Sequence, residues 1–425
     1  MQERELLIVG GGIAGALLAW QSHFRGITFK LIISPTMQAT SDAASGQINP
    51  VVFKRFVKSW LADEAIDCAK KIYSQISSYQ SNEGLDFFCN QKILKLFANS
   101  DQLEIAERKS KNDLARYARN FSDDGKYHFI NAPYGSLEVE ESGYLRVRDF
   151  LAFTKQFFAQ DIISSDFAFD GLKCEDKESG RNYSYLGISF SKLILATGVW
   201  GFSAEEAAKD RRKDRGGDKG EDAVRNIAKN AAKNAAENTG GNASRNTGGN
   251  TSRNTGGNTG RNTGKEEMQG SDYGYSHLIS KALKPVKGEE VTLKIKGEFS
   301  NLNHIVNNGI YCIQKSTDEI IVGATFDWSE LDFIPTAEGG EKLTEKFKEI
   351  FPNLEFEIVE QRAGVRPSVI DRRPLVGSFC DEDFYIFNGW GTKAALLSPY
   401  FSELLFNHIF LGAELPEEVD PARFR

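Results

Sequence analysis

Three glycines near the start of the chain have the spacing of a phosphate-binding turn. Gly10, Gly12 and Gly15 give the pattern G-x-G-x-x-G in the stretch LLIVGGGIAGALLAW. The first glycine of such a turn permits a tight bend, the second lets the backbone approach a pyrophosphate, and the third lets the next helix pack close to the strand. Because the helix N-terminus also offers amide donors to phosphates, the spacing predicts a dinucleotide site.

The flanking residues supply the elements that would position this turn. Leu6–Val9 is a short apolar run that predicts a buried strand, Ile13–Phe24 has apolar residues at helical spacing, and Ile27–Ile33 predicts the next strand. A strand–turn–helix–strand unit belongs to a parallel sheet, so we predict a doubly wound α/β fold. A signal peptide is disfavoured because the start, Glu3–Glu5, carries no positive excess. A membrane span is disfavoured because no stretch reaches the roughly 18–20 apolar residues that it needs.

The end of the second strand lacks an expected acid. That acid normally accepts hydrogen bonds from the adenosine ribose about 20 residues after the glycines. Here the strand ends at Ser34, and no Asp or Glu follows before Asp42. Ser34 can still accept a hydrogen bond, so we expect weakened but not abolished binding of the adenosine end. No cluster of arginines lies near this strand end, which counts against NADP as the ligand.

The composition limits the classes of partner and compartment. A formal net charge of −7 argues against DNA binding, which needs a basic surface. The five cysteines are scattered and form no CxxC pair, which predicts reduced thiols in a cytoplasmic protein. The five histidines have no ligand spacing, so we predict no metal site.

Further helices and strands are predicted along the chain. They are interrupted at 204–271 by a segment whose amino-acid composition differs from that of the rest. That segment contains an eight-residue NTGG-type repeat from Asn238 and almost no apolar residue. It cannot repay its ordering entropy, so we predict a disordered low-complexity insert. The other predicted helices are 59–79, 103–121, 149–160, 337–350 and 393–410, and the other predicted strands are 92–97, 126–130, 144–147, 193–196, 291–295, 309–313, 319–326 and 384–387.

Five motifs occur in a characteristic order: IVGGGIAGALLAW, ATSDAASGQINP (39–50), LILATGVWG (193–201), RAGVRPSVIDRRPLVG (362–377) and FNGWGTKAALLSPYFSELL (387–405). In this order they resemble the FAD-dependent D-amino-acid oxidase superfamily. That superfamily includes glycine oxidase, sarcosine oxidase and the oxidase domain of a bifunctional enzyme that modifies the tRNA wobble uridine. The resemblance implies a Rossmann-like FAD-binding domain (1–60, 140–203 and 360–425) with an inserted, antiparallel β-rich substrate domain of α+β type (61–139 and 272–359).

The resemblance also implies residues that would hold a noncovalent FAD. Four segments would contribute. They are the phosphate turn, the loop beside the flavin (Ala44–Gly46), the second glycine turn (Ala196–Gly198) and the loop at the flavin carbonyl edge (Gly389–Lys393). These candidates are Gly10, Gly12, Ile13, Ala14, Gly15, Ser34, Ala44, Ser45, Gly46, Ala196, Thr197, Gly198, Gly389, Trp390, Gly391, Thr392 and Lys393.

The candidate catalytic residues also come from the resemblance. Arg366 matches the arginine that grips a substrate carboxylate, Tyr311 matches a pocket-lining strand, and Lys393 lies at the flavin edge. Two of these residues have a purely structural alternative. Arg366 could form an ion pair at the surface or between domains, and Tyr311 could be a core residue. Lys54 and Arg55 match basic residues near the flavin more loosely.

The resemblance predicts oxidation of a C–N bond in an amino acid or secondary amine, with oxygen or another acceptor taking the electrons. Two alternatives stay open. One is oxidation of a modified tRNA base, with Lys58 on a basic path, which the overall acidity disfavours. The other is a non-catalytic flavoprotein subunit.

Overall fold

The computed structural model describes residues 3–80, 86–122, 129–177, 180–200, 274–297, 302–379 and 383–424. Helices and strands are numbered along the chain. The helices are α1 (Ile13–Phe24), α2 (Ala62–Ser77), α3 (Ser100–Ser110), α4 (Val147–Phe157), α5 (274–282), α6 (Ala337–Ile350) and α7 (Ala394–Leu411). The strands are β1 (Glu3–Val9), β2 (Phe29–Ile33), β3 (Gln47–Ile48), β4 (Val51–Val52), β5 (Val57–Lys58), β6 (Phe88–Asn90), β7 (Ile93–Leu96), β8 (Ala118–Ser122), β9 (Ser136–Val139), β10 (Gly143–Leu145), β11 (Ile162–Ser164), β12 (Lys173–Lys177), β13 (Gly180–Tyr185), β14 (Ile188–Leu195), β15 (Val286–Lys296), β16 (Ile305–Asn307), β17 (Tyr311–Gln314), β18 (Glu319–Gly323), β19 (Glu355–Arg366), β20 (Leu375–Ser378) and β21 (Phe384–Asn388).

The first sheet is built around the N-terminal strand. Its order is β11-β2-β1-β14-β13-β12, and β21 joins β14 and carries β20. The strands β11, β2, β1, β14 and β21 run parallel, as a doubly wound fold requires. The carboxyl ends of β1, β14 and β21 therefore meet at one edge, where Gly10, Ala196 and Gly389 follow them.

The second sheet is almost wholly antiparallel, with the order β19-β15-β18-β17-β16-β7-β9-β8. One of its faces packs on α6, where Val291 and Leu293 of β15 join Leu343 and Phe347 of α6 in one buried cluster. The other face belongs to the core of the first half, since Ile313 is buried in the cluster that contains Trp20 of α1. Two small sheets, β3-β10-β6 and the β4–β5 hairpin, contain the remaining described strands. A doubly wound α/β half with a β-rich second half confirms the predicted fold class.

Two predicted domain limits do not coincide with the sheets. Strand β19 runs through position 360 without a break and ends at Arg366, so the second sheet extends past the predicted limit. Helix α2 lies in the predicted substrate domain, yet it packs on α7, and the Tyr73 hydroxyl donates to the Ala395 carbonyl at 3.0 Å. Chain order misplaces α2 because its partner lies more than 300 residues away.

The helix predicted over 103–121 is wrong in its second half. Helix α3 ends at Ser110, and a turn with buried Leu114 and Tyr117 leads into β8. Phe121 is then a strand residue opposite Leu137 of β9. Sheet pairing overrides local helical preference here. Most of the strand predicted over 126–130, and the insert at 204–271, lie outside the described residues.

Candidate cofactor and substrate site

The glycine turn is closed so tightly that side chains do not fit at two of its positions. Gly10 has a φ of +127°, and a Cβ there would lie 2.2 Å from the Ala196 carbonyl oxygen of the neighbouring strand end. A Cβ on Gly15 would lie 1.8 Å from the Gly10 carbonyl oxygen. The sequence pattern thus reflects two steric requirements, one at the turn and one where α1 packs on it.

The N-terminus of α1 lacks an internal cap. Its N-cap is Gly12, no side chain caps the helix there, and its first turn contains no acidic residue. The Ile13 amide is the exception, since it lies 3.2 Å from Ser41 Oγ. An uncapped helix start leaves first-turn amides and the positive end of the helix dipole available to an anion.

A cavity of about 790 Å³ opens at this helix end. It lies within the range of cofactor sites, ~300–1,000 Å³. The predicted cofactor residues that line it are Gly10, Gly12, Ile13, Ala14, Ser34, Ala44, Ala196, Thr197, Gly198, Trp390 and Gly391. The predicted residues outside its lining are Gly15, Ser45, Gly46, Gly389, Thr392 and Lys393.

Ser34 lines the cavity, but its hydroxyl is already engaged. Ser34 Oγ accepts from the amides of Thr36, at 3.1 Å, and Met37, at 2.8 Å, and it donates to Asp166. Asp166 follows β11, the strand beside β2, and also accepts from the Thr36 hydroxyl at 3.0 Å. The Asp166 carboxylate therefore lies next to the end of β2, although no acidic residue directly follows that strand in the sequence.

Two residues that sequence reasoning missed support the second glycine turn. Asn388 Nδ2 donates to the Gly198 carbonyl at 2.7 Å, which ties the ends of β14 and β21 together. The Tyr275 and Thr197 hydroxyls are 2.6 Å apart, and both residues line the cavity. The signal for Asn388 was present, since it directly precedes a predicted glycine loop.

The segment 40–47 connects the cavity to the second sheet. Thr40 Oγ1 donates to the Val365 carbonyl of β19 at 2.5 Å, and Ser45 acts to lower the pKa of Tyr311. Gln47 Nε2 is buried without an acceptor among the described residues. This segment therefore offers an unsatisfied donor next to the predicted flavin loop, Ala44–Gly46.

Lys393 lies at the start of α7, and its side chain contacts Ser59, the residue after β5. No side chain caps α7, and its first turn contains no acid. Lys393 Nζ donates to Ser59 Oγ at 2.9 Å, and burial lowers the pKa of Lys393 to about 8. The ammonium group has this hydroxyl as its acceptor and no carboxylate partner among the described residues.

Arg366 is a half-buried arginine without an ion pair in the described part of the chain. Its Nη1 donates to the Thr325 carbonyl at 3.2 Å, and its Cζ lies 4.5 Å from the centre of the Phe326 ring. Burial lowers the pKa of Arg366, while Tyr311 and Glu290 act in the opposite direction. Gly288 makes room for the group, because a Cβ there would lie 1.8 Å from Nη2.

Tyr311 leads to an acid that sequence reasoning missed. Its hydroxyl donates to Glu290 Oε2 at 3.1 Å, and burial raises the pKa of Tyr311 well above its usual value. Glu290 is only 4% exposed, and burial raises its pKa to about 7. Nothing in the sequence distinguishes Glu290 from other acids on strands, because only the sheet register places it beside Tyr311.

Lys95 lies in the same cross-strand row of the second sheet as Tyr311 and Glu290. It is opposite Asn307 of β16, which in turn is opposite Tyr311. Lys95 is 5% exposed, and its Nζ lies 5.5 Å from the centre of the Phe53 ring. It has no hydrogen bond or ion pair among the described residues, and burial lowers its pKa to about 8.

Replacing Lys95 by methionine should stabilise the protein at pH 7. The folded-state pKa of about 8 lies below the usual 10.5, so the unfolded chain binds more protons between these values, and wild-type stability rises with pH across that window. We expect Lys95→Met to raise Tm at pH 7 by at least about 2 °C. The gain should shrink from pH 8 to pH 10, as measured by calorimetry. Lys393 has the same sign of pH dependence, so some slope will remain.

The control for this prediction is Lys294→Met. Lys294 is an exposed lysine on β15 that lies 3.8 Å from Asp318. We expect this change to leave Tm within about 1 °C of wild type, as is usual for surface substitutions. A lower Tm for Lys95→Met at pH 7 would mean that the buried ammonium group stabilises the fold.

The loosely matched basic residues lie away from the cavity. Lys54 and Arg55 are exposed in the β4–β5 hairpin, and Lys58 pairs with Asp63 at 2.5 Å. Within the described ranges, no cluster of three or more His, Cys, Asp or Glu side chains has a metal-binding arrangement. In the same ranges no helix is both long enough and apolar enough for a membrane span.

Comparison with known sequences relates the chain to flavin-dependent enzymes. The family described as FAD dependent oxidoreductase matches residues 271–407. The tRNA 5-methylaminomethyl-2-thiouridine biosynthesis bifunctional protein of Leptospira interrogans is 24% identical over 178 residues, which are 33% of this chain and 27% of that protein. Glycine oxidase of Bacillus licheniformis is 29% identical over 136 residues, 31% of this chain and 36% of that protein. The chain thus matches about a third or less of the length of these relatives.

Solved structures share the fold over nearly the whole chain. Glycine oxidase from Geobacillus kaustophilus superposes with a TM-score of 0.67 at 18% identity, covering 100% of this chain and 98% of that one. Iminodiacetate oxidase from a Chelativorans species has a TM-score of 0.66 at 16% identity, covering 98% and 99%. These findings confirm the resemblance and the cofactor class predicted from the sequence: residues 271–407 match the FAD dependent oxidoreductase family, and the chain shares the fold of these solved oxidases.

Proposed function

We propose that this chain is an oxidoreductase with noncovalent FAD that oxidises the C–N bond of a small amino acid or secondary amine carrying a carboxylate. The observation that carries the proposal is Arg366. A half-buried guanidinium that has only carbonyl and aromatic contacts in the described chain has unused donors. A carboxylate, which matches the planar fork of an arginine, is the ligand that would use them.

The cavity fits the pyrophosphate and the extended shape of FAD. Gly10 and Gly15 keep the backbone accessible at an uncapped helix start, which suits a pyrophosphate. Asp166, held by Ser34 and Thr36, places an acid near the adenosine end. At the other end, the uncapped start of α7 offers amides to the flavin carbonyl edge.

The side chains of the second sheet would bind and orient the substrate. Arg366 would hold the carboxylate through Nε and Nη2, which have no acceptor among the described residues. The Phe326 ring keeps the guanidinium plane fixed, and the Thr325 carbonyl fixes its rotation. A substrate held at one end presents its Cα–H in a defined direction, and such positioning supplies a large part of a rate enhancement.

The cofactor would supply the hydride acceptor when bound. The amides at the start of α7 would stabilise negative charge at the flavin carbonyl edge. Trp390, which is 6% exposed and packs on Phe387, helps to exclude water from that part of the cavity. The electron acceptor that completes the cycle is oxygen or another oxidant.

A panel of substrates tests this proposal. The purified full chain, loaded with FAD, is mixed anaerobically with small amino acids, N-methylated amino acids, the matching amines without a carboxylate, and tRNA carrying an aminomethyl-modified wobble uridine. Bleaching of the flavin and, with oxygen present, release of peroxide are followed. We expect bleaching by one or more carboxylate-bearing amines and none by the matching amines without a carboxylate.

Two other outcomes would replace this proposal. Bleaching by modified tRNA alone would favour the nucleic-acid substrate. The panel includes this tRNA because the chain is 24% identical to the tRNA-modifying protein over the aligned residues. A flavin that no amine and no tRNA reduces would favour a non-catalytic flavoprotein.

A further inference from the structure

Four residues stand in one row across the second sheet. Cross-strand register pairs Arg362 of β19 with Glu290 of β15, Glu290 with Gly323 of β18, and Gly323 with Tyr311 of β17. Residues directly opposite each other in a sheet project on the same face. This face lies against the segment 40–43, because a Cβ on Gly364 would lie 3.2 Å from Ala43 Cβ. The row therefore faces the half of the molecule that contains the cavity.

Glu290 is held in this row by two donors. The Tyr311 hydroxyl donates to Oε2 at 3.1 Å, and Arg362 Nη1 lies 3.4 Å from Oε1. Gly323 makes room for the Tyr311 side chain, since a Cβ there would lie 2.3 Å from the Tyr311 hydroxyl. These contacts fix the carboxylate and leave lone pairs available, because a carboxylate has about four acceptor positions.

Glu290 and Arg366 form a pair of opposite charges that do not touch. The Arg366 guanidinium lies over Gly288, which is two residues from Glu290 on the same face of β15. Two residues along a strand span about 6.6 Å. The two groups influence each other electrostatically, yet no ion pair joins them in the described structure. A half-buried cation and a buried carboxylate at this spacing complement the carboxylate and ammonium groups of one amino acid.

We propose that Glu290 binds the ammonium group of the substrate and takes its proton, while Arg366 holds the carboxylate. The N–H bond of the ammonium group breaks, the proton goes to a Glu290 carboxylate oxygen, and the electron pair stays on nitrogen as the lone pair of the neutral amine. Loss of hydride from the adjacent carbon needs that lone pair. The inference rests on the proposed function, because it assigns a further catalytic residue to the same site.

The proposal has a defined pH dependence. The charged and titratable groups around Glu290 are Tyr311, Arg148, Arg362, Glu360 and Arg366. Burial raises the pKa of Glu290 to about 7, and Tyr311, Arg148 and Arg366 oppose that rise. Glu290 can receive an ammonium group only when ionised, so affinity for a zwitterion should fall as the pH falls below about 7. Affinity for a simple carboxylate should not follow this trend.

Two compounds of the same shape separate the contribution of the amine. 2-Aminoisobutyrate is an amino acid without a Cα–H, so it cannot be oxidised, and pivalate has a methyl group in place of its ammonium group. Their affinities for the FAD-loaded enzyme are measured by titration calorimetry with wild type, Glu290→Gln and Glu360→Gln. The last variant is the matched control, because Glu360 contacts Arg362 but does not contact Tyr311.

We expect Glu290→Gln to weaken 2-aminoisobutyrate about 10- to 100-fold, the range for a hydrogen bond to a charged group. Pivalate affinity should stay within about twofold in the same variant, a difference too small to reflect a lost charged contact. Glu360→Gln should leave the ratio of the two affinities at its wild-type value. Failure of wild type to bind 2-aminoisobutyrate, or equal weakening of both compounds, would overturn the proposal.

Wild-type protein gives a second test that does not depend on the folding of a variant. At pH 6, binding of 2-aminoisobutyrate should release a proton from Glu290 to the buffer, detected by comparing buffers with different ionisation enthalpies. Pivalate should release none from this group, and an equal proton count for the two compounds would contradict the inference. If amines bleach the flavin but these tests fail, Glu290 is excluded while the proposed function stands. If nothing bleaches the flavin, the proposed function itself fails.

Discussion

Replacing Arg366 by alanine should lower kcat/KM for a carboxylate-bearing amine by about 100- to 1000-fold, or about 3–4 kcal/mol. The guanidinium is half-buried, has donors without an acceptor among the described residues, and lies on the same face of β19 as Gly364, which packs on the segment 40–43. Without it the carboxylate of the substrate would enter the site unpaired. Flavin content should stay at the wild-type value, since Arg366 does not line the cavity. Steady-state kinetics together with the flavin spectrum of each preparation measure both effects.

Arg119→Ala is the matched control for this prediction. Arg119 is exposed on β8, the strand at the opposite edge of the second sheet from β19. We expect wild-type kinetics from this variant. Lysine at position 366 should recover only part of the loss, because an ammonium group cannot form the bidentate contact of an arginine. An Arg366→Ala enzyme with unchanged kinetics would remove this residue from the substrate site.

Replacing Gly15 by alanine should weaken FAD binding by at least about 100-fold, the effect expected when a binding group moves by about 1 Å. The added Cβ would lie 1.8 Å from the Gly10 carbonyl oxygen, a backbone atom that no side-chain rotation can move away. Helix α1 must therefore move away from the turn, and its first amides move with it. Fluorescence titration of the apoprotein with FAD measures the change in Kd.

A second glycine separates this effect from general backbone strain. Gly187 has a φ of +77° in the turn between β13 and β14, and a Cβ there would meet no atom within 4 Å. Gly187→Ala therefore adds strain of about 1 kcal/mol without a clash. We expect FAD affinity within about twofold of wild type. If Gly15→Ala binds FAD as well as Gly187→Ala does, the phosphate turn is not where we place it.

Two helices, one in each half of the molecule, could be predicted well because local patterns determine them. Helix α1 has the bounds Ile13–Phe24 that its apolar spacing indicates, and α6 likewise occupies Ala337–Ile350. The glycine turns could also be located, because steric limits at Gly10 and Gly15 act on the sequence directly. Each of these features depends on residues that are close together in the chain.

The features that sequence reasoning missed depend on contacts between distant segments. Asp166 reaches Ser34 because β11 pairs with β2, a contact between residues 132 positions apart. Glu290 meets Tyr311 through the register of three strands. The end of α3 at Ser110 likewise follows from the pairing of β8 with β9. Spacing along a single sequence contains no information about such pairings.

The most direct test of the central claim is the flavin stoichiometry of the purified chain. The purified chain is incubated with FAD, passed through a gel-filtration column and denatured with acid, and the released cofactor is quantified by chromatography. We expect one FAD per chain, all of it released by the acid because the binding is noncovalent. A chain that retains no flavin after reconstitution, or that prefers a nicotinamide dinucleotide over FAD, would contradict the assignment of the cavity as an FAD site.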